Sequence, residues 1–593
     1  MKQLFGNLHF LLLRIIRYDK RILRYVWIEV IVSLAVAFVG LRLTQELINL
    51  VAQGAQPKQL LTRISLWIVL YALIQIVLKL AAMKSQLLSQ MFRIHELARV
   101  TQALQSCDYQ RLEQEDYQQT KALAFATVQQ DSSLTQIFPS NLKRFLEQLL
   151  KIALFGAMLS ALDRRFLLFI GLLLVLVVIY RWFQHRFIER TKAERGRLNE
   201  QFRYIKRVTA NFRLAKDVRL FRVRPWFETI AEDVLRNMRQ ITTRRGRVVL
   251  GGQFISALLI LLLTFYGYIV LLKELRTGAI NVGQLVFYIG AITTIAVGST
   301  DFINVLFDLL DNSTDIMHLK TFLHYPPLFN HTAKQALPES IETIECRGVC
   351  FKYPGSEQAL FDNLNLTLNR NEKIALVGLN GAGKTTLVKL LLNLYRPDKG
   401  QILINGIDNQ LFSVDDYYSL FSVVFQDLHL LPMTIRETVL QDQPYQESRY
   451  LYVLRASGLS DVIGELPLGD ATPLVREVDP DAVTLSGGQL QKLKLAQALY
   501  KDAPVLVLDE PTAALDPLAE SEVYRRYQAH AKDKLSIFIT HRLATTRFCD
   551  RILYLDAGKV VEDGTHEQLM QRKGLYQQMY DKQAYYYQKG ERR

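Results

Sequence analysis

Apolar residues in the first half of the chain gather into six long stretches: Tyr25–Leu43, Ile64–Met83, Leu146–Leu162, Phe166–Phe183, Val248–Leu272 and Ile280–Phe307. A helix needs roughly 20 mostly apolar residues to cross a hydrocarbon layer of about 30 Å, so each stretch predicts a membrane-spanning helix. The third is the most polar, with Glu147 and Lys151 near its start, but its place just before another apolar run favours a span over a buried helix of a soluble domain. Short connections join spans three to four and five to six. Those between two and three and between four and five exceed sixty residues and are polar without turn punctuation. That predicts helices running on beyond the bilayer as two long intracellular hairpins. Ahead of the first span, Met1–Asp19 reads as an amphipathic helix on the inner membrane face. Its apolar run Leu11–Ile16 is short and broken by Arg14, unlike a cleavable signal.

The pattern changes at residues 326–338, where Pro326, Pro327 and Pro338 flank a polar stretch and mark a linker between a first domain, 1–325, and a second, 339–593. Beyond it, Ile341–Phe351 and Leu364–Leu368 alternate like strands. Lys373–Val377 is a short apolar run, followed by Gly378-Leu-Asn-Gly-Ala-Gly-Lys384-Thr385-Thr386 and an apolar helical pattern to Tyr395. The predicted fold is an α-helical six-span transmembrane domain joined to an α/β P-loop domain.

Charge sharpens this division. The 593 residues are too many for one core. Residues 1–337 hold 43 Lys and Arg against 23 Asp and Glu, a net of +20, while residues 338–593 come to −5. The basic half is also the apolar half, which points to anionic lipid headgroups of a bilayer. No basic stripe falls on a soluble fold, so no nucleic-acid partner is expected. Arg186–Arg247, reached after four spans, holds 18 Lys and Arg and is therefore assigned to the cytoplasm. Even numbers of crossings then place both termini and the second domain there too, giving a multi-pass cell-membrane protein. Of the four cysteines, Cys107, Cys346, Cys350 and Cys549, the close pair Cys346 and Cys350 is followed by no second ligand pair to complete a tetrahedral metal site, so buried thiols in a reducing compartment are expected.

The strand–loop–helix setting of Gly378–Thr386 is that of a phosphate-binding loop. Its glycines let successive backbone N–H groups close around β- and γ-phosphates at the positive end of a helix dipole. Lys384 adds a point charge, and Thr385 offers a hydroxyl to Mg²⁺. Val505–Leu508 is an apolar strand ending in Asp509-Glu510. Asp509 suits Mg²⁺ coordination and Glu510 suits polarising an attacking water, the inventory that phosphoryl transfer requires. The spacing lets both strands join one parallel sheet. Between the two motifs lies Leu485-Ser486-Gly487-Gly488-Gln489, opening the helical stretch Gln489–Tyr500.

Together with Gln426 in Val-Val-Phe-Gln-Asp, Asp516 after Ala-Ala-Leu and His541 in Ile-Thr-His-Arg, these motifs resemble the ATP-binding cassette of ABC transporters, in the family's order. Six spans followed by one cassette resemble an ABC exporter half-transporter over nearly the whole chain. The resemblance implies ATP and Mg²⁺ as cofactors. It implies that Tyr353 stacks on adenine, and that Gly378, Asn380, Gly381, Ala382, Gly383, Lys384, Thr385 and Thr386 bind the phosphates. Thr385, Gln426 and Asp509 would hold the metal. Gln426 would sense the γ-phosphate, Glu510 would act as general base and His541 as switch. Ser486, Gly487, Gly488 and Gln489 would cap an ATP held by the opposite cassette, and Asp516 would belong to the nucleotide site. A second half-transporter is thus implied, either an identical copy or a related partner.

Tyr109–Tyr117 and Lys216–Phe221, at the feet of the two hairpins, resemble the family's coupling helices. Glu477 matches the acidic position of a loop before the signature, while its neighbours depart from the common form. Thr438 stands where many relatives have Asn. Neither departure touches the catalytic set. The implied mechanism is alternating access: two ATP molecules close two cassettes, the coupling helices reorient the spans, and hydrolysis at Glu510 permits reset. Gln253, Ser256, Thr264, Tyr266, Thr293, Thr294, Asp301 and Asn304 place polar groups on spans five and six without naming a cargo. A peptide or amphipathic small molecule is the expected export; lipids and drugs are alternatives within the architecture, and an ATP-gated channel a rival outside it. The lack of an N-terminal Cys-peptidase segment speaks against a pump that trims leader peptides.

Overall fold

The computed structural model describes residues 2–130, 133–210, 215–329, 335–426, 429–510, 533–541 and 543–590. Its contacts divide the chain into two units, Met1–Ser106 with Gln119–Tyr325, and Cys107–Gln118 with Pro326–Arg593.

The first unit is helical: α1 (Lys2–Asp19), α2 (Arg21–Ala52), α3 (Pro57–Gln105), then, beyond the excursion into the second unit that carries α4 (Tyr109–Leu112), α5 (Glu115–Ala126), α6 (Leu134–Leu162), α7 (Arg165–Arg190), α8 (Lys192–Ala210), α9 (Ala215–Leu220), α10 (Arg224–Arg276) and α11 (Val282–Leu323). Six of these, α2, α3, α6, α7, α10 and α11, are long and apolar enough to cross a membrane, one for each predicted stretch. At 1.5 Å per residue, the 49 residues of α3 and the 53 of α10 reach roughly 75–80 Å, far beyond a bilayer. The extension expected after the fourth span takes a different form, because α7 ends at Arg190 and α8 starts a new helix. The sixth helix starts two residues after the apolar run does. Asn281 builds a capping box with Gln284, each side chain meeting the other's backbone N–H, and so fixes Val282 as the first helical residue.

Several charged and polar groups of α6 are paired, either within the helix or with a neighbouring one. In α6, Glu147 takes an ion pair from Lys151 at 2.5 Å and a hydrogen bond from Ser33 of α2. Lys143 meets the buried Glu29 at 2.9 Å. Arg144 pairs with Asp301 of α11, and Gln148 donates to the same carboxylate at 3.3 Å. These pairs satisfy groups that would be costly in hydrocarbon and explain how a run containing Glu147 and Lys151 can still be a span. The α11 helix is the most buried of the six, with Ala291, Ile292, Ile295, Ala296 and Ile303 enclosed by α2, α6, α7 and α10. One face of α1 is enclosed as well: Leu11 and Ile15 are fully buried, Asn7 donates to the Ser313 carbonyl at 2.9 Å, and Arg14 pairs with Glu96.

The second unit holds two sheets. Strands β1 (Thr343–Phe351), β2 (Phe361–Asn369), β4 (Lys399–Ile404) and β5 (Ile407–Asp408) form an antiparallel sheet in the order β2-β1-β4-β5. Strands β3 (Lys373–Gly378), β6 (Phe421–Val424), β7 (Val505–Asp509), β8 (Leu535–Ile539), β9 (Arg551–Asp556) and β10 (Lys559–Gly564) form the other, ordered β10-β9-β3-β8-β7-β6. Among the described residues, only β10 runs antiparallel in it. The strands β3 and β7 thus share one parallel sheet with β8 between them, as their spacing predicted. Around the sheets lie α12 (Lys384–Leu391), α13 (Val414–Ser419), α14 (Ile435–Leu440), α15 (Glu447–Ser457), α16 (Ser460–Gly464), α17 (Gly487–Lys501), α18 (His566–Arg572) and α19 (Leu575–Gly590). The apolar pattern running to Tyr395 overstates α12, which stops at Leu391: Asn393 takes a left-handed φ of 56°, and Leu394 and Tyr395 turn into the core. All four cysteines are free thiols, and burial pushes Cys346 up to about 12.

Candidate active site

In a parallel sheet, ligands sit beyond the C-terminal strand ends, where the connecting loops splay apart. Strand β3 ends there at Gly378, and the loop to α12 needs its glycines. Gly378 has φ of 148° and would drive a Cβ to within 2.1 Å of the Leu555 carbonyl on β9. Gly383, at φ 105°, precedes the first helical residue, and a Cβ there would press on Phe361 at 2.9 Å. Lys384 is 6 % exposed, and its Nζ donates to the carbonyls of Gly378 and Leu379 at 2.9 and 3.0 Å. Burial draws its pKa below the usual lysine value, while Glu510 and Asp509 act in the opposite direction.

Strand β7 delivers the acidic pair. Asp509 is 2 % exposed, and among the described residues its Oδ1 has no hydrogen-bond partner. Burial first, then the Glu510 charge, push its pKa up to about 6, against a hydrogen bond from Thr385 and the charges of Lys384 and Lys389. A buried oxygen without a donor, beside a threonine hydroxyl and a lysine, is suited to a divalent cation. Glu510 occupies the left-handed region at φ 47°, held by its N–H donating to the Ile539 carbonyl of β8 at 3.0 Å. This turn separates the two carboxylates, Asp509 buried in the sheet and Glu510 at the cavity.

Glu510 is where three elements meet. Gln426, following β6, donates through Nε2 to Oε2 at 2.7 Å, and His541, following β8, lies with Nε2 2.6 Å from Oε1. Burial, then the Lys384 charge, hold the imidazole below its usual pKa, against the charge of Glu510; the contact with Oε1 calls for the proton on Nε2. One cavity of about 480 Å³ is lined by Tyr353, Asn380, Gly381, Gly383, Lys384, Thr385, Thr386, Gln426, Glu510 and His541, together with Leu360, which the motifs did not indicate. Gly378 and Ala382 form the buried base of the same loop. The Tyr353 hydroxyl is 2.6 Å from Thr386 Oγ1.

The predicted signature residues Ser486, Gly487, Gly488 and Gln489 do not join this cavity. Ser486 is the N-cap of α17, where it forms a capping box with Gln489. Asp516 lies outside the described residues. The foot of the first hairpin yields a further cluster. Tyr395 donates to Glu113 at 2.5 Å, Gln110 accepts from the Arg396 N–H at 3.0 Å, and Lys389 stands over the rings of Tyr109 and Tyr395. Tyr353 meets Tyr395 edge-on at 5.7 Å, so this cluster abuts the cavity wall. No local signal points to Tyr395, since its partner Glu113 is 282 positions away.

Residues 361–513 match the family model described as ABC transporter. The subtilin transport ATP-binding protein SpaT of Bacillus subtilis is 32% identical over 311 residues, 52% of this chain and 50% of that protein. An ATP-dependent lipid A-core flippase of Neisseria meningitidis serogroup B is 30% identical over 352 residues, 59% of this chain and 55% of that protein. The chain thus spans about half the length of the curated relatives it matches. A solved bacterial Atm1-family ABC exporter with ATP bound superimposes with a TM-score of 0.74 at 22% identity, covering 95% of this chain and 98% of that one, so the two share a fold.

Proposed function

We propose that this multi-pass membrane protein, with an ABC transporter domain at residues 361–513 and the fold of an ABC exporter, is one half of an ATP-hydrolysing exporter. The convergence of Gln426 and His541 on Glu510, at the mouth of the glycine-loop cavity, carries the proposal. The loop N–H groups and Lys384 would bind the β- and γ-phosphates of ATP, and Tyr353 would stack on its adenine, worth about 1–3 kcal/mol. Thr385, Asp509 and Gln426 would hold Mg²⁺, which when bound neutralises phosphate charge. Glu510 would accept the proton of the attacking water, with its two oxygens oriented by Gln426 and His541. A neutral His541 can donate its Nε2–H to the γ-phosphate once ATP is present.

Because Ser486–Gln489 lie off the cavity, a second cassette would supply the signature that caps each ATP, from an identical copy or a related half-transporter. Closing and opening of that pair would drive alternating access, with the cassettes and both termini in the cytoplasm. A cavity of about 320 Å³ between α7, α10 and α11 supports an amphipathic cargo: Arg181, Gln184, Gln253 and Asn304 line it beside Val177 and Ile260. A peptide or amphipathic small molecule fits this mixed lining, and a lipid reading draws on the lipid A-core flippase relatives. The test is uphill transport in sealed vesicles with ATPase measured alongside. Glu510→Gln should abolish both while leaving ATP binding intact. An ATP-opened conductance without uphill movement would refute the pump.

A further inference from the structure

The loop carrying His541 is braced from outside the cavity by α19. Three of its side chains, Tyr576, Tyr580 and Gln583, stand at i, i+4 and i+7 and therefore share one helical face. Each engages the segment after β8. The fully buried Tyr576 shares a 2.6 Å hydrogen bond with Thr546. The Tyr580 ring lies 5.5 Å beneath the Arg547 guanidinium. Gln583 reaches furthest toward the chemistry: its Nε2 donates to the His541 carbonyl at 2.6 Å, and its Oε1 accepts from the Leu543 N–H at 3.0 Å. One amide thus ties the main chain at His541 and at Leu543. Only one orientation of that amide satisfies both partners, a donor for the carbonyl and an acceptor for the N–H.

From this geometry we infer that Gln583 is a positioning residue for hydrolysis, fixing the His541 main chain so that its imidazole stays within reach of Glu510. The inference rests on the reading of this site as an ATPase. Gln583 does not itself line the cavity; it acts through the backbone of His541, which does. Displacements near 1 Å in a catalytic group cost up to about 100-fold in rate. Loss of the clamp should therefore lower kcat by roughly 10–100-fold while KM for ATP, set chiefly by the loop, Lys384 and Tyr353, changes less than about twofold.

The test uses the full chain in lipid vesicles, comparing Gln583→Met, Gln583→Ala, His541→Ala and the double variant His541→Ala/Gln583→Met. Methionine keeps the length and volume of glutamine without its donor and acceptor, so it separates positioning from packing. Support comes from a fall in kcat in both Gln583 variants with KM and Tm held, and from no further loss when Gln583→Met is added to His541→Ala. Wild-type kcat in Gln583→Met, a rise in KM matching the fall in kcat, or additive losses in the double variant would each overturn the inference. If His541→Ala and Glu510→Gln hydrolyse ATP normally, the site reading itself fails, a result distinct from a silent Gln583.

Discussion

Replacing Asp509 by Asn should stabilise the empty cassette while destroying its metal-dependent activity. The wild-type carboxyl is 2 % exposed, with Oδ1 unpartnered among the described residues, so ionising it without a cation is costly. Its pKa rises from 3.8 to about 6, and at about 1.4 kcal/mol per unit this amounts to roughly 3 kcal/mol held against the folded state. The sign follows from the direction of the shift. Because the folded value lies above the unfolded one, the group imposes no penalty below about pH 4, a growing penalty as pH rises to about 6, and a constant one above. Asn does not titrate, so the variant should match wild type at pH 4 and exceed it by up to about 3 kcal/mol at pH 7.5. The readout is amide exchange protection of β7 and β8 in the full chain, without nucleotide or metal, corrected for intrinsic rates. Adding Mg²⁺ and ATP should reverse the order, because only wild type gains the metal's binding energy. Lower protection in the variant at pH 7.5, or a gap that is equal at both pH values, would refute the reasoning.

Gly378→Ala should abolish ATP binding and lower stability by about 1–3 kcal/mol or more, since both the φ of 148° and the Leu555 carbonyl reject a Cβ; nucleotide titration and thermal unfolding report it. Tyr395→Phe removes a hydrogen bond to the Glu113 carboxylate, a loss of about 1.5–3 kcal/mol, and should speed amide exchange across residues 108–118 while sparing the six spans. Ser486→Ala removes the N-cap of α17 and should cost about 1 kcal/mol, seen as reduced protection in its first turn.

The spans were legible because a bilayer imposes a length and a polarity that no packing detail overrides. The polar third span obeys the same rule, its Glu147 and Lys151 neutralising each other one helical turn apart. Helix ends were less legible, since capping decides them: Asn281 moved the start of α11, and Asn393 ended the run after α12. The loop Gly378–Thr386 and the Asp509–Glu510 pair were readable because glycines and carboxylates at strand ends have few other uses. The left-handed φ of Glu510 was not, because the Ile539 carbonyl that holds it lies on another strand. Tyr395 with Glu113 and Gln583 with His541 were hidden for the same reason: their meaning lies in partners distant along the chain, and neither Tyr nor Gln announces a role by type.

The position of Ser486–Gln489 away from the cavity has a genetic consequence. If the glycine loop of one copy works with the signature of the other, a Lys384→Ala chain paired with a Ser486→Ala chain concentrates both lesions in one composite site and leaves its twin whole. Placing both substitutions in a single chain opposite a wild-type copy spoils both sites. Two dimers of identical overall composition would therefore differ in residual turnover according to how the defects are shared between their chains.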